Sequence, residues 1–316
     1  MKGKKSSNAS LRLPCNETMD GVRLDEFLAK KLGMSRSQAK RIVAEGRATV
    51  DGVLKAQDSP LSFGEIVTVV PRAEEAPAWD LEKRVLHEDR ELLVLNKPAG
   101  LIMHPLGTTW LTVPEAARDE PDQNLAGLLQ AARPGIVKAG VPRCGIVHRL
   151  DRQTSGVLLV AKTTASYEVL TAAFRERGVS KVYRAIVLGV PAHAATSVDA
   201  PVGRPPGKRQ VTVTPLGRTS VTQVRVVSSG RRASLVEARP MTGRTHQIRA
   251  HLAHLGHPVL GDPEVPCPAG LPQPPRMMLH AWRVEFDHPA TGRRTRYEAP
   301  VPKDFSAYWA ALRKVS

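Results

Sequence analysis

The stretch that most constrains this chain runs from Gly145 to Lys162: Gly-Ile-Val-His-Arg-Leu-Asp-Arg-Gln-Thr-Ser-Gly-Val-Leu-Leu-Val-Ala-Lys. Two apolar runs, Gly145–Val147 and Val157–Ala161, have the length and β-branching of buried strands. Between them lies a polar loop with one carboxylate, Asp151, flanked by Arg149 and Arg152 and closed by Thr154, Ser155 and Gly156. A loop held between two buried strands is a rigid mount of the kind that carries catalytic side chains. A lone loop Asp more often caps a turn, and Thr, Ser and Gly are turn formers too. The loop therefore needs support from elsewhere in the chain.

Charge supplies some. Lys and Arg number 46 against 30 Asp and Glu, a formal net charge of +16 in 316 residues. Such an excess predicts a polyanionic partner, because each phosphate neutralised releases counterions. Nucleic acid is favoured over membrane, since the chain has neither an 18-residue apolar run nor a basic amphipathic anchor. The start, Met1 to Asn8, is basic without the apolar segment of a signal peptide, and residues 1–19 read as a disordered basic arm. Cys15, Cys144 and Cys267 are odd in number and far apart. They suggest neither a disulfide framework nor a zinc ribbon, and they fit a reducing cytoplasm.

Residues 20–70 read as a small domain. Leu24, Phe27, Leu28 and Leu32 follow helical spacing up to Gly33. Ser35 and Gln38 form a capping box for a second helix that ends before Gly46 and buries Ala39, Ile42 and Val43. Arg36 with Lys40, and Ser37 with Arg41, are spaced i, i+4, so Arg36, Lys40 and Arg41 form a basic ridge. Short strands are expected at Ala48–Val50 and Ile66–Val70, with Asp51-Gly52 as a turn. Residues 71–80, rich in Pro, Ala and Glu, read as a linker, and 81–316 as the larger domain.

In that domain, Val85–Leu95 reads as strand, turn, strand, and Asn96 to Pro105 as a loop whose His104 is a packing residue. Leu106 to Arg143 carries Gly/Pro punctuation and the charge run Arg118–Asp122, and reads as a long surface loop holding a helix at Ala126–Ala132. Ser166–Arg177 has helical periodicity through Val169, Leu170, Ala173 and Phe174. Lys181–Gly189 alternates as a strand and includes Tyr183. Further strands are expected at Val211–Thr214, Thr222–Val227 and Ser234–Ala238, with a basic hairpin at Pro201–Arg209. From Met241 to Asp262, Thr245 is placed to cap a helix running to Leu255. His246, His251, His254 and His257 raise the question of a metal. With no Cys or carboxylate in the set and Arg244 and Arg249 beside it, the expectation is no metal.

Three of these stretches, taken together, resemble the RNA pseudouridine synthases of the large-ribosomal-RNA (RluA) type. They are His148-Arg149-Leu150-Asp151 with Thr154-Ser155-Gly156, Lys181-x-Tyr183-x-Ala185-x-Val187-x-Gly189, and Gly243-Arg244-Thr245-His246-Gln247-Ile248-Arg249. Arg23–Leu28, Ser35–Lys40 and Gly46–Gly52 resemble the small RNA-binding domain named after a ribosomal small-subunit protein. The resemblance implies an α+β fold: a mixed, mainly antiparallel central sheet with flanking helices, preceded by a small α/β RNA-binding domain. It implies that uridine is isomerised to pseudouridine without a cofactor. Asp151 would be the catalytic carboxylate, Tyr183 the residue that stacks on the base and receives the ring proton, and Arg249 the partner that favours the charged form of Asp151. Arg149 would fill the space left by the flipped base, and His148 and Arg244 would also meet the substrate. Where the family pattern has Gly-Asp-x-x-Tyr, this chain has Gly261-Asp262-Pro-Glu-Val265 and then a Pro-rich run, so the Tyr is absent.

The expected partner is RNA, ribosomal in preference to transfer RNA, with no membrane and no metal, for a monomer. Two other readings stand beside it. A non-catalytic RNA-binding ribosome-assembly factor would tolerate substitution of Asp151. A metal-dependent nuclease using the His cluster would be sensitive to chelators.

Overall fold

The computed structural model describes residues 10–34, 36–44, 46–70, 79–105, 109–112, 117–118, 123–208 and 210–314. It divides into two compact units, residues 1–78 and 79–316.

The smaller unit is built from β1 (Leu11–Pro14), α1 (Leu24–Leu32), α2 (Arg36–Ala44), β2 (Ala48–Val50) and β3 (Ile66–Val69). The apolar faces foreseen for both helices are buried, with Leu24, Phe27, Leu28, Ala39, Ile42 and Val43 packed on Val50, Val67 and Val69. Gly33 ends α1 in the left-handed conformation at φ 63°, as a residue without a Cβ readily does. Asp51 and Gly52 both have positive φ and close a two-residue turn, in which Val50 and Val53 exchange backbone hydrogen bonds. The Ser35 cap lies outside the described residues. One expectation is corrected: Leu11–Pro14 belongs to no disordered arm but pairs antiparallel with β3. Its four residues, with an Arg in the second position, carry too short a pattern to read as a strand.

The larger unit contains β4 (Val85–Glu88), β5 (Leu92–Lys97), α3 (Thr109–Thr112), α4 (Leu125–Ala132), α5 (Pro134–Lys138), β6 (Ser155–Ala161), α6 (Thr164–Arg175), β7 (Ser180–Leu188), β8 (Ala195–Asp199), β9 (Val202–Gly203), β10 (Thr212–Val213), β11 (Val221–Ser229), β12 (Ala233–Pro240), α7 (Gln247–His254), β13 (Leu279–Asp287), β14 (Arg294–Glu298) and α8 (Lys303–Lys314). Among the described residues, nine strands form one sheet in the order β4-β5-β6-β13-β7-β12-β11-β8, with β14 beside β13. Every pairing is antiparallel except β6 with β13. This is the mixed, mainly antiparallel α+β architecture expected. Strand β6 is buried along its whole length, which explains why it reads as a continuous apolar run rather than an alternating one.

Helices α4 and α5 cover one face of the β5–β6 half, through Leu125, Leu129 and Ile136 on Leu93, Leu95 and Leu158. Leu170 of α6 covers the other. Helices α7 and α8 pack on β7 and β12 through Ile248, Leu252, Phe305 and Tyr308.

Four further expectations change. Gly145–Val147 is not a strand: Pro142–Gly145 forms a short 3-10 turn, and only Ile146 bridges to Val160. The 106–143 segment is not a surface loop, because its described residues Trp110, Ala117, Leu125, Ala126, Leu129 and Val141 are core. Buried Asn124 caps α4 by accepting from Gly127 N–H and donates to Ala117 C=O. Residues 119–122 of the charge run lie outside the described residues, as does Arg209 of the hairpin. Val169 faces solvent rather than the core. Trp79 and Asp80, counted as linker, belong to the larger unit, where Trp79 N–H donates to Gln123 and its ring meets Arg84; residues 71–78 lie outside the described set. His104 does pack in its loop, stacked on Trp110 with ring centres 4.9 Å apart.

Candidate active site

The parallel β6–β13 pairing places the polar loop before β6 beside Tyr183 of β7. Gly156, at φ 119°, allows it: a Cβ there would overlap the Ala281 backbone of β13. Ser155, next to it, hydrogen-bonds buried His280 Nδ1 at 2.9 Å, while the other ring nitrogen faces Ala299 C=O. His280 is thereby neutral, its pKa pushed down to about 4 mainly by burial.

The loop itself hangs on Lys97, the last residue of β5 and fully enclosed. Its Nζ, with three N–H donors, lies within hydrogen-bond reach of four backbone carbonyls, Pro98 at 2.9 Å, Asp151 at 3.3 Å, Arg152 at 3.1 Å and Thr154 at 2.9 Å. Burial pulls the Lys97 pKa down to about 7, and the Asp151 charge opposes that pull. Gly100 and Arg152 add a reciprocal pair of hydrogen bonds, and Thr154 N–H closes back on Asp151 C=O. Leu150 is buried in the core below, so its neighbours Arg149 and Asp151 are turned into the cavity above.

That cavity measures about 290 Å³ and is lined by every site residue expected in this unit: Asp151, Tyr183, Arg249, Arg149, Arg244 and His148. His148 stacks on Phe174 of α6 at 4.5 Å, and its Nε2 accepts the Leu159 N–H at 2.9 Å. Accepting that bond requires a neutral ring, and burial lowers its pKa to about 3. His148 thus ties the cavity wall to β6. Lys181 lies over Phe174, with its pKa lowered by burial. Burial, with Asp151 next in effect, raises the pKa of Tyr183. Its phenol is therefore protonated at neutral pH.

The opposite wall is the 241–249 stretch. Thr245 does not cap α7; the preceding residue is His246, left-handed at φ 54° and making no capping bond. The work falls to Gln247, whose side chain accepts from Thr242 Oγ1 at 2.7 Å and Arg244 N–H at 3.0 Å and donates to Val221 C=O and Thr222 Oγ1. This network fastens the stretch to β11. Two other histidines of the cluster hold backbone or hydroxyl groups, His251 on Thr222 and Ala200, His257 on Leu188. His254 is exposed.

Arg249 is nearly enclosed, and its closest partner is not Asp151. Its guanidinium grips Asp262 through two 2.6 Å hydrogen bonds, with Glu264 at 3.1 Å, and Nη1 stands 3.9 Å from Asp151 Oδ2. Burial alone would weaken the Arg249 charge, but the Asp262 bonds and the nearby carboxylates outweigh it and raise its pKa. The pairing expected with Asp151 is thus one edge of a cluster with three carboxylates. Asp262, Glu264, Lys97, Lys181 and His246 were not singled out from the sequence as site residues; the one available signal was a Lys and an Asp at the ends of apolar runs, where charge is costly.

In the smaller unit, Arg36 and Lys40 of the basic ridge converge with Arg23 on Asp25, which is fully buried, at 3.5, 3.9 and 3.2 Å. Arg41 lies on the same helix.

Comparison with known proteins adds an independent line. The family described as RNA pseudouridylate synthase matches residues 91–254, and the S4 domain matches residues 22–67. The ribosomal large subunit pseudouridine synthase D of Pseudomonas aeruginosa is 38% identical over 313 residues, covering 94% of this chain and 93% of that protein. The protein of the same name from Escherichia coli O157:H7 is 33% identical, covering 95% and 93%. Among solved structures, human RNA pseudouridylate synthase domain containing 1 superposes with a TM-score of 0.57 at 26% identity, covering 75% of this chain and 90% of that one. The three motifs, the sheet and these relatives agree: the chain belongs to the RNA pseudouridine synthases of the RluA type, carries an S4 domain ahead of the catalytic one, and is an isomerase acting on RNA.

Proposed function

We propose that this enzyme converts specific uridines of large-subunit ribosomal RNA to pseudouridine, with Asp151 as the catalytic carboxylate. The observation that carries the reading is the convergence of Asp151, Tyr183 and Arg249 on one cavity of about 290 Å³. That volume suits one nucleoside and is too small for a stacked duplex, so the target base must leave its helix. Tyr183 packs against the flipped base, Arg249 favours the ionised Asp151, and exposed Arg149 at the rim enters the gap left in the RNA. Arg244 lines the same rim, near enough to meet a phosphate. Arg36, Lys40 and Arg41 of the S4 domain supply phosphate contacts. In this reading the enzyme acts as a monomer, and the relatives' ribosomal target implies work in the cytoplasm.

The experiment is a map of pseudouridines across ribosomal and transfer RNA in cells lacking the protein, with and without complementation. Loss of defined large-subunit sites, restored by the wild-type gene and not by Asp151→Asn, is the expected result. An unchanged ribosomal map with losses in transfer RNA would overturn the substrate, and restoration by Asp151→Asn would overturn the catalytic assignment.

A further inference from the structure

His246 has three features that its place before α7 does not require. Its backbone is left-handed at φ 54°, a conformation uncommon outside glycine and one that clusters at functional sites. Its buried Nδ1 has no hydrogen-bond partner among the described residues, although buried polar atoms are nearly always satisfied. And the ring stands between two carboxylates: Nε2 is 3.8 Å from Asp151 Oδ1, and Nδ1 is 3.8 Å from Glu264 Oε1. The charged groups facing it are Asp151 from the loop before β6, Arg249 from α7, and Asp262 and Glu264 from the segment after α7. Burial, the largest influence, lowers its pKa despite those carboxylates, so the resting ring is neutral and can take a proton. Glu264 is partly open to solvent, and it sits in the Gly261–Cys267 segment where this chain departs from the family pattern.

The chemistry needs such a path. When C1′ has moved from N1 to C5, the C5–H bond must break: its electron pair becomes the C5–C6 double bond, the C6–N1 pair withdraws to N1, and N1 gains a proton. The reaction consumes no net proton, but it needs an acceptor at C5, and Tyr183 is a neutral phenol.

We propose that His246 is a relay residue that carries the C5 proton from Asp151 to Glu264 and so to water. Asp151 takes the proton from C5. It passes to His246 Nε2 as the Nδ1 proton leaves for Glu264, which exchanges with solvent, and N1 takes its proton from water. Both 3.8 Å gaps exceed hydrogen-bond length and must shorten by roughly 1 Å when RNA binds, as catalytic contacts in free enzymes commonly do. His246 acts through Asp151, so it is a positioning and relay residue rather than one that touches the base. The proposal rests on Asp151 as the catalytic carboxylate.

The test is single-turnover kinetics of the full-length protein on a large-subunit ribosomal RNA transcript carrying protium, deuterium or tritium at uridine C5, from pH 5 to 9. The variants are His246→Gln and Glu264→Gln, with RNA affinity measured in parallel. The relay predicts near-wild-type affinity and slower release of the C5 label, about tenfold for His246→Gln and threefold for Glu264→Gln. It also predicts that a deuterium isotope effect emerges in both. Because the Glu264 charge raises the proton affinity of His246, Glu264→Gln moves the acid limb of the rate to lower pH. Label release at the wild-type rate, with no isotope effect and an unmoved acid limb in Glu264→Gln, overturns the relay, even if His246→Gln proves unstable. Activity surviving in Asp151→Asn would instead sink the reading beneath it.

Discussion

Two ion clusters in this protein are charge inverses of each other. In the S4 domain a fully buried carboxylate, Asp25, sits under three half-exposed cations, Arg23, Arg36 and Lys40, at 3.2 to 3.9 Å. In the catalytic domain a nearly buried guanidinium, Arg249, sits among Asp262, Glu264 and Asp151, the nearest at 2.6 Å. The first arrangement spends one acid to hold three cations whose outer sides remain in water, and its surplus positive charge faces outward. The second encloses its cation with short, bidentate geometry, and of its three carboxylates Asp151 lines the cavity. Exposed pairs at long distances contribute little to stability, whereas breaking a buried pair is costly. On the proposed function, one cluster serves loose, salt-sensitive attraction of phosphate, and the other fixed geometry around the carboxylate of Asp151.

The contrast is sharpest at Arg249. Arg249→Ala leaves buried Asp262 without its partner, and turnover is expected to fall about 10²- to 10³-fold, with a stability loss of about 3–5 kcal/mol. Single-turnover rates and denaturant unfolding check both, and wild-type turnover would break the comparison. Next comes Lys97, a buried cation surrounded by carbonyls instead of carboxylates. Lys97→Met leaves the loop carbonyls unpaired and should cost about 2–4 kcal/mol, together with turnover, while RNA affinity holds.

A comparable effect follows from pH. The folded-state pKa of His148 is about 3 against about 6.5 unfolded, so the folded protein binds fewer protons between those values. Its contribution to stability is complete above pH 6.5 and is lost as pH falls toward 3, by up to about 1.4 kcal/mol per unit. His280 acts with the same sign. Unfolding measured from pH 7 to 4 should show a shallower slope in His148→Gln, whose amide oxygen can still accept the Leu159 N–H; an unaltered slope would contradict the assignment. The smallest effect belongs to the outward cluster. Lys40→Ala should weaken RNA binding about two- to fivefold and reduce the salt slope by about 1, with the rate on bound RNA untouched.

The legible parts of this molecule are those with a local signature. The periodic faces of α1 and α2, the apolar run of β6, and the positions of Asp151, Tyr183 and Arg249 on one cavity were all readable. What escaped depends on contacts distant in sequence. Lys97 reaches carbonyls more than fifty residues away, and Arg249 finds Asp262 across the end of a helix. Neither leaves a period in the chain. Helix α4 was legible as a helix at Ala126–Ala132, but α3 and α5 are too short to stand out from a loop, and nothing local showed that the apolar residues of this segment form core. Helix-capping rules favoured Thr245, but the residue before α7 is His246, which makes no capping bond, and Gln247 instead ties the preceding turn together through Thr242 and Arg244 N–H.

The most direct measurement is pseudouridine formation by Asp151→Asn under single-turnover conditions, alongside its affinity for the same RNA. Asparagine keeps the size of the side chain and removes its charge. The expected result is a rate reduced at least about 10³-fold with affinity within about twofold of wild type. Product formed at a rate near that of the wild type would contradict the account.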